Sequence, residues 1–261
     1  MNIHVKNLLL CFVLAAAAGC THHDKLPSAR PEKEGMSSER LGRITTVMQE
    51  YIDEEKLPGM ITMVARHGRI VHSETCGIMD ADKPMQPDAI FRIASMTKPV
   101  TSVAAMILYE EGYFGLDDPV ADYIPEFRDL KVYSSIDIDG VHTVDPVRPM
   151  TIRDLLTHTS GLSGVGADSP VDSMYAAADL SGGTLKDMIQ KLSGIPLLYQ
   201  PGTTWNYSRS TDVLGYLIEV VSGKPLDQFM RERIFVPLGM EDTDFRVPVG
   251  KLDRVGAVYA P

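Results

Sequence analysis

The sequence holds little cysteine, no run of basic side chains and no apolar stretch long enough to cross a bilayer, and each scarcity excludes something. Against 35 acidic side chains stand 25 basic ones, for a formal net charge of −10. Without a basic cluster, such a surface offers no footing for nucleic acid or anionic lipid headgroups. The N-terminal apolar run, Leu8 to Ala18, falls well short of the ~20 residues a bilayer-spanning helix needs. Behind Lys6 it reads instead as an export signal covering residues 1–19, and Cys11 leaves with it.

The signal ends Ala17-Ala18-Gly19-Cys20, which resembles a bacterial lipobox and implies a lipid on Cys20. Lipoboxes more often carry Leu where Ala17 stands, and ordinary signal cleavage is the alternative. The expected location is therefore exported: anchored to the inner or outer membrane by Cys20 and facing the periplasm, or secreted. With Cys20 lipidated, Cys76 stands alone, and no intrachain disulfide can form in spite of export. Cys76 lies in a strand-like run and reads as a small, buried apolar residue. Residues 20–35 are polar and contain proline, which predicts a tether. The adjacent His22-His23-Asp24 on such a tether does not make a metal site, and the sequence calls for no metal or cofactor.

Beyond the tether, Ser37 or Ser38 caps a helix whose Leu41, Ile44, Met48, Tyr51 and Ile52 share a face, and Pro58-Gly59 stops it. Met60–Ala65 and Ile70–Thr75 read as two strands about a tight turn at His67-Gly68. Then comes Phe91-Arg92-Ile93-Ala94-Ser95-Met96-Thr97-Lys98-Pro99. Ser95 and Lys98 are three apart, so on a helix their side chains meet on one face. Pro99 lacks an N–H and belongs in a first turn, which predicts a helix starting near Ser95 and ending near Gly112. Val100, Val103, Ala104, Ile107 and Leu108 recur at helical spacing and predict a deeply buried helix. At its mouth a serine has a backbone N–H and the positive dipole end for a developing oxyanion. A lysine desolvated there, against the same positive pole, has its pKa lowered and can take the serine's proton. The same spacing also fits a solvated surface pair; the apolar helix and the proline distinguish the two.

From Leu116 onward prolines and turns punctuate short segments, predicting a loop-rich, mainly helical region. Asp137-Ile138-Asp139-Gly140 starts like a calcium loop but lacks the later ligands. Between the alternating Ile136, Ile138 and Val141 it reads as a β-turn. Thr151 with Asp154, and Thr184 with Asp187, are capping-box patterns that open helices. His158 and Ser160 in Leu155-Leu156-Thr157-His158-Thr159-Ser160-Gly161-Leu162 invite a Ser–His reading. Residues two apart rarely meet in catalytic geometry and no G-x-S-x-G surrounds Ser160 or Ser163, so His158 reads as a structural hydrogen-bonder at a helix end. Tyr207 follows the Pro201-Gly202 turn and precedes an amphipathic helix (Val213, Leu214, Leu217, Ile218, Val221). It fits a half-buried aromatic, but beside an ammonium a phenol's pKa falls and it can act as a general base or acid.

Taken together, Ser95-Met96-Thr97-Lys98, Leu116-Asp117-Asp118-Pro119, the stretch Leu155 to Leu162, Pro201-Gly202 with Tyr207-Ser208, and Pro237-Leu238-Gly239-Met240 resemble the serine β-lactamase-like superfamily. Within it, class C β-lactamases, D-alanyl-D-alanine carboxypeptidases and family VIII carboxylesterases are the nearest in pattern. The resemblance covers roughly residues 35–245, in family order. It implies Ser95 as nucleophile, Lys98 as its proton partner, Tyr207 as second general base, and an acyl-enzyme on Ser95 that water hydrolyses. It also implies an α/β fold of α+β type, an antiparallel sheet flanked by helices plus a helical domain with the site between them. On that pattern residues 36–112 are the α/β part and 113–261 the mainly helical part of one domain.

Three departures from the family pattern bear on substrate. Arg209 stands at a substrate-binding position where Y-x-N enzymes carry Asn. No Gln follows the His158 turn within Ser163-Gly164-Val165-Gly166. A K-T-G or H-x-G strand, the source of a second oxyanion N–H, does not occur before Pro261. The expectation is an N-terminal portion of a longer enzyme, lacking its returning C-terminal strands and, as it stands, a poor catalyst. The leading expectation is a carboxylesterase acting on small-molecule esters. A β-lactamase or D,D-carboxypeptidase remains open, as does a non-catalytic lipoprotein that binds cell-wall peptides.

Overall fold

The computed structural model describes residues 26–164 and 169–259. The export signal, Cys20 and His22-His23-Asp24 lie outside the described residues, as do Val165 and Gly166. In chain order the elements are α1 (Ser38–Asp53), β1 (Gly59–Arg66), β2 (Arg69–Asp80), β3 (Lys83–Pro84), α2 (Thr97–Glu110), β4 (Val132–Asp137), β5 (Gly140–Val144), α3 (Ile152–Leu156), α4 (Pro170–Ala177), α5 (Leu185–Leu192), α6 (Ser210–Ser222) and α7 (Leu226–Met230), joined by short 3-10 turns. Strands β1, β2 and β3 form one sheet in that order, and β4 with β5 a two-stranded one. Among the described residues no helix is long and apolar enough to cross a membrane.

The described residues divide into two compact units, those up to 46 with 62–74, and 47–61 with those from 75 onward. In the first, the β1–β2 turn is tight because His67 and Gly68 both take positive φ, 52° and 71°. This is the pair of left-handed residues a two-residue hairpin turn requires. The tether expected over residues 20–35 ends earlier than its composition suggests. From Pro27 the chain lies along β2: the Ile70 N–H donates to Pro27 O and the Ala29 N–H to Ile70 O, both at 2.9 Å. An edge strand presents unpaired backbone groups, and satisfying them outweighs the polar composition of the segment. A 3-10 turn, Pro31–Glu34, follows.

In the second unit α2 packs against α6, which also meets α3, α5 and α7. The helix begins later than expected, since Ala94–Met96 form a 3-10 turn and α2 proper starts at Thr97, with Pro99 still in its first turn. Its buried face is Thr101, Ala104, Ala105 and Leu108. Val103, predicted to be core, is 52 % exposed. Small alanines let two helices approach closely, so the contact with α6 selects the Ala104–Ala105 face and turns the β-branched side chain out. Helix α6 buries Val213, Leu214, Leu217 and Ile218, close to the face expected of it, and ends at Gly223 in the left-handed conformation. Both predicted capping boxes form, at Thr151–Asp154 and Thr184–Asp187, and a third, Ser169–Asp172, opens α4.

Asp137 to Gly140 closes the β4–β5 hairpin, as the β-turn reading expects. The sheet is more than the single hairpin foreseen: β3 pairs with β2, and the Ala257 N–H donates to Met79 O (2.7 Å) while the Gly256 N–H donates to Ile90 O (2.9 Å). Arg254, paired with Asp242 and reaching Asp88 O, anchors that segment. Burial would by itself raise the Asp242 carboxyl, but hydrogen bonds from Arg254 and then Lys251 dominate and bring it down to about 2.

Candidate active site

Ser95 sits in the 3-10 turn that feeds α2, directly after Ala94, which is held at φ +43°. A non-glycine residue in that region is uncommon, and such backbone strain concentrates where a side chain must be presented in one direction. The turn leaves Ser95 exposed and Lys98 half-buried at the second position of the helix. The deep burial expected around the pair is thus not reached, but their proximity is: Lys98 Nζ lies 3.4 Å from Ser95 Oγ.

Tyr207, far away in sequence, completes the group. Its hydroxyl donates to Ser95 Oγ at 2.7 Å, and Lys98 Nζ lies 4.6 Å from the centre of its ring. The Lys98 ammonium first, and the Ser95 hydroxyl second, favour the phenolate and lower the Tyr207 pKa from the ordinary value near 10. With Lys98 and Tyr207 both directed at Ser95 Oγ, the arrangement can hold a phenolate and an ammonium against one hydroxyl. That is the equipment for removing a proton from a nucleophile.

Arg209 does not join them. Its ion pair is with Asp212 at 3.8 Å, on the first turn of α6, and its own N–H donates to Ser163 O. Neighbours three apart on a helix terminus find each other locally, which draws the guanidinium along α6. Among the described residues no cluster of three or more His, Cys, Asp or Glu side chains could hold a metal ion.

The stretch that carries Tyr207 is clamped by the turn after α3. The Asn206 N–H donates to His158 O (2.8 Å), the Gly202 N–H to Thr159 O (2.7 Å) and the Leu198 N–H to Gly161 O (2.7 Å). The Asn206 side chain donates to Leu162 O (2.9 Å). Gly161 has φ +85°, and a Cβ there would lie 2.1 Å from Tyr199 O, so only glycine allows the two segments to approach this closely. Beneath them Asp154 accepts both Arg148 nitrogens (2.7 and 2.9 Å) and the Thr151 N–H (2.9 Å). Burial would raise its carboxyl, yet the Arg148 fork and the Thr151 hydrogen bonds prevail and hold it below the usual range. Ser160, rejected above as a nucleophile, is wholly buried and bonded to Ser210 Oγ at 2.7 Å. Sequence reasoning missed the roles of Asn206 and Ala94. The first makes a contact between residues 44 apart, and nothing local marks the second.

The family model described as Beta-lactamase matches residues 44–261. Esterase EstB of Burkholderia gladioli is 36% identical over 210 residues, which cover 78% of this chain and 51% of that protein. Among solved structures, EstCE1, a hydrolase with promiscuous acyltransferase activity, superposes with a TM-score of 0.71 at 34% identity, covering 85% of this chain and 57% of that one. Simvastatin synthase from Aspergillus terreus gives a TM-score of 0.72 at 26% identity, covering 84% and 57%. The chain spans about half the length of the curated relatives it matches.

Proposed function

The chain belongs to the serine β-lactamase-like superfamily, and from that premise we propose that it is part of a serine hydrolase that cleaves small-molecule carboxylic esters through an acyl-enzyme on Ser95. The observation that carries this reading is the convergence of Lys98 and Tyr207 on Ser95 Oγ, at 3.4 and 2.7 Å. Ser95 Oγ attacks the ester carbonyl carbon as its proton passes to the Tyr207–Lys98 pair. The carbon–oxygen bond to the alcohol breaks and the alcohol leaves with that proton. Water then adds to the acyl-enzyme, giving its proton to the same pair, and the acid departs as Ser95 regains its hydrogen. Lys98 stabilises the phenolate between steps.

Esters are favoured over β-lactams for a reason of polar pairing. A β-lactam carries an amide side chain, and an amide buried without partners costs about 1–3 kcal/mol. Arg209 is engaged with Asp212, and no Gln follows the His158 turn within residues 163–166, so two such partners are missing from the pattern of lactam-cleaving enzymes. An activated ester makes no such demand. Relatives named as esterases, EstB and lovastatin esterase of Penicillium rubens, agree in direction.

The test is twofold. A fluorophosphonate probe should label Ser95, which separates an enzyme from a binding protein that merely keeps the fold. kcat/KM for p-nitrophenyl butyrate should exceed that for a chromogenic cephalosporin; the reverse order would overturn the ester assignment. For location we propose a lipid on Cys20, motivated by the apolar run ending Ala18-Gly19-Cys20. Cys20→Ala should release tagged protein from membranes and lower its mass by that of the lipid. Unchanged partitioning and mass would rule the anchor out.

A further inference from the structure

His158 is not part of the Ser95 group, yet it touches the tyrosine segment at more than one point. Its carbonyl accepts the Asn206 N–H at 2.8 Å, and its Nδ1 accepts the Ser208 N–H at 3.3 Å. Its ring lies over that of Tyr207, with centroids 5.0 Å apart and planes tilted by 32°. Tyr207 is thus flanked on the chain by two residues whose N–H groups both end on His158. The backbone of His158 is itself unusual, at φ +55°, a conformation in which Asn, Asp and His are the tolerated side chains.

A backbone N–H can only donate, so the Ser208 contact makes Nδ1 an acceptor and puts the imidazole hydrogen on Nε2. A proton added at Nδ1 would set two N–H donors against each other and break that bond. Behind it Ser208 Oγ, 3.4 Å from Nδ1, hydrogen-bonds to Ser210 Oγ, which bonds to Ser160 Oγ, each at 2.7 Å. All three serines are buried, so no water replaces a lost partner readily. The titratable groups facing the ring are Lys98 from α2 and Tyr207 from the loop before α6. Asp154, reached through Thr159, is occupied by Arg148. Burial first, and Lys98 second, push the His158 pKa down from its ordinary value of 6.5, in the same direction as the hydrogen bonding.

We propose that His158 is a positioning residue for Tyr207: locked as the Nε2–H tautomer by the Ser208 amide and stacked against the phenol ring, it fixes where the hydroxyl meets Ser95. It takes no proton in the reaction. Protonating it unseats the Tyr207–Ser208 peptide, so activity falls when the pH drops low enough to charge it. The activity arm of this inference rests on the Ser95 esterase reading, whereas the tautomer does not.

Two substitutions separate the contributions. His158→Asn keeps an acceptor oxygen for the Ser208 N–H and suits φ +55°, but cannot titrate. His158→Phe keeps a ring and loses the acceptor. In the unmutated protein the fall of log kcat towards acid should steepen from one proton, that of Tyr207, to two once His158 is charged, and His158→Asn should keep only the one-proton slope of Tyr207. In His158→Phe kcat should fall roughly 10- to 100-fold at all pH values with KM little changed, the scale of a slightly misplaced catalytic group. Independently of turnover, long-range ¹H–¹⁵N correlation spectra of the unmutated protein at pH 7 should show His158 as the Nε2–H tautomer. An Nδ1–H tautomer or an imidazolium at that pH would overturn the proposal, as would an unaltered acid limb in His158→Asn. Should His158→Phe not fold, the Asn variant and the spectrum decide. Failure of Ser95 to react with fluorophosphonate sinks the esterase reading instead, and the spectrum still tests His158.

Discussion

On one side of Ser95 stands the mouth of α2, where Ala94 is strained and Met96, the next residue after the nucleophile, is 68 % exposed. On the other stands the turn after α3 with the loop it clamps, where Ser160, Ser208 and Ser210 are buried and the bonds that join turn to loop link residues tens of positions apart. The first region makes its geometry within one turn of helix and adds little buried surface. The second reaches the same hydroxyl only because several backbone hydrogen bonds and a glycine hold two distant segments together. Chemistry and stability should therefore separate at α2 and travel together at the clamp.

The largest effect should come from Ser95→Ala, which removes the nucleophile and abolishes ester turnover and fluorophosphonate labelling. Because Ser95 is exposed, its loss should shift stability by no more than about 0.5 kcal/mol in denaturant titration. Tyr207→Phe should lower kcat about 10²- to 10⁴-fold, the usual range for a general base. In the unmutated protein kcat/KM should rise with pH through a value below the ordinary 10, because Lys98 and Ser95 favour the phenolate. A pH profile of kcat/KM checks it, and Tyr207→Phe should lack that rise.

Gly161→Ala tests the clamp. Placing a side chain at φ +85° costs roughly 1–3 kcal/mol in backbone strain. The contact with Tyr199 O adds to this, so both the melting temperature and turnover should drop. A stable but inactive Gly161→Ala would show that the clamp positions without stabilising, and would undo the comparison. Asp154→Ala should cost about 1–3 kcal/mol by leaving the Thr151 N–H and Arg148 without their partner. The sign of its pH dependence is fixed by a folded pKa below the unfolded one. Its contribution is present above the unfolded value near 3.8 and fades as the pH falls through the folded value, so the variant should show a weaker loss of stability in acid. Smallest of all, Asp242→Asn removes partly exposed ion pairs with Arg254 and Lys251, which solvent screening holds to under about 1 kcal/mol. Its acid dependence would lie between the unfolded value near 3.8 and about 2. Melting temperatures at two salt concentrations would read it, since screening should shrink the difference.

What could be read in the sequence was local. Ser95 and Lys98 share a helix face at a spacing the helix itself dictates, His67-Gly68 demands a tight turn, and Thr151 with Asp154 and Thr184 with Asp187 state their caps within four residues. Periodicity likewise selected the buried face of α6. Pattern alone associates Arg209 with the site, and in the fold its ion pair is with Asp212 on the first turn of α6. Val103 was placed in the core by periodicity, and the close approach of α2 to α6 chose the alanines instead. The joining of Tyr207 to Ser95, 112 residues away, and of His158 to Ser208, 50 away, was beyond any local rule. Those bonds depend on which buried backbone groups find partners once helices pack, and side-chain spacing carries no information about that. The sequence by itself determined the pair at the mouth of α2; tertiary packing decided what faces it, because only a completed core can hold two distant segments at hydrogen-bond distance.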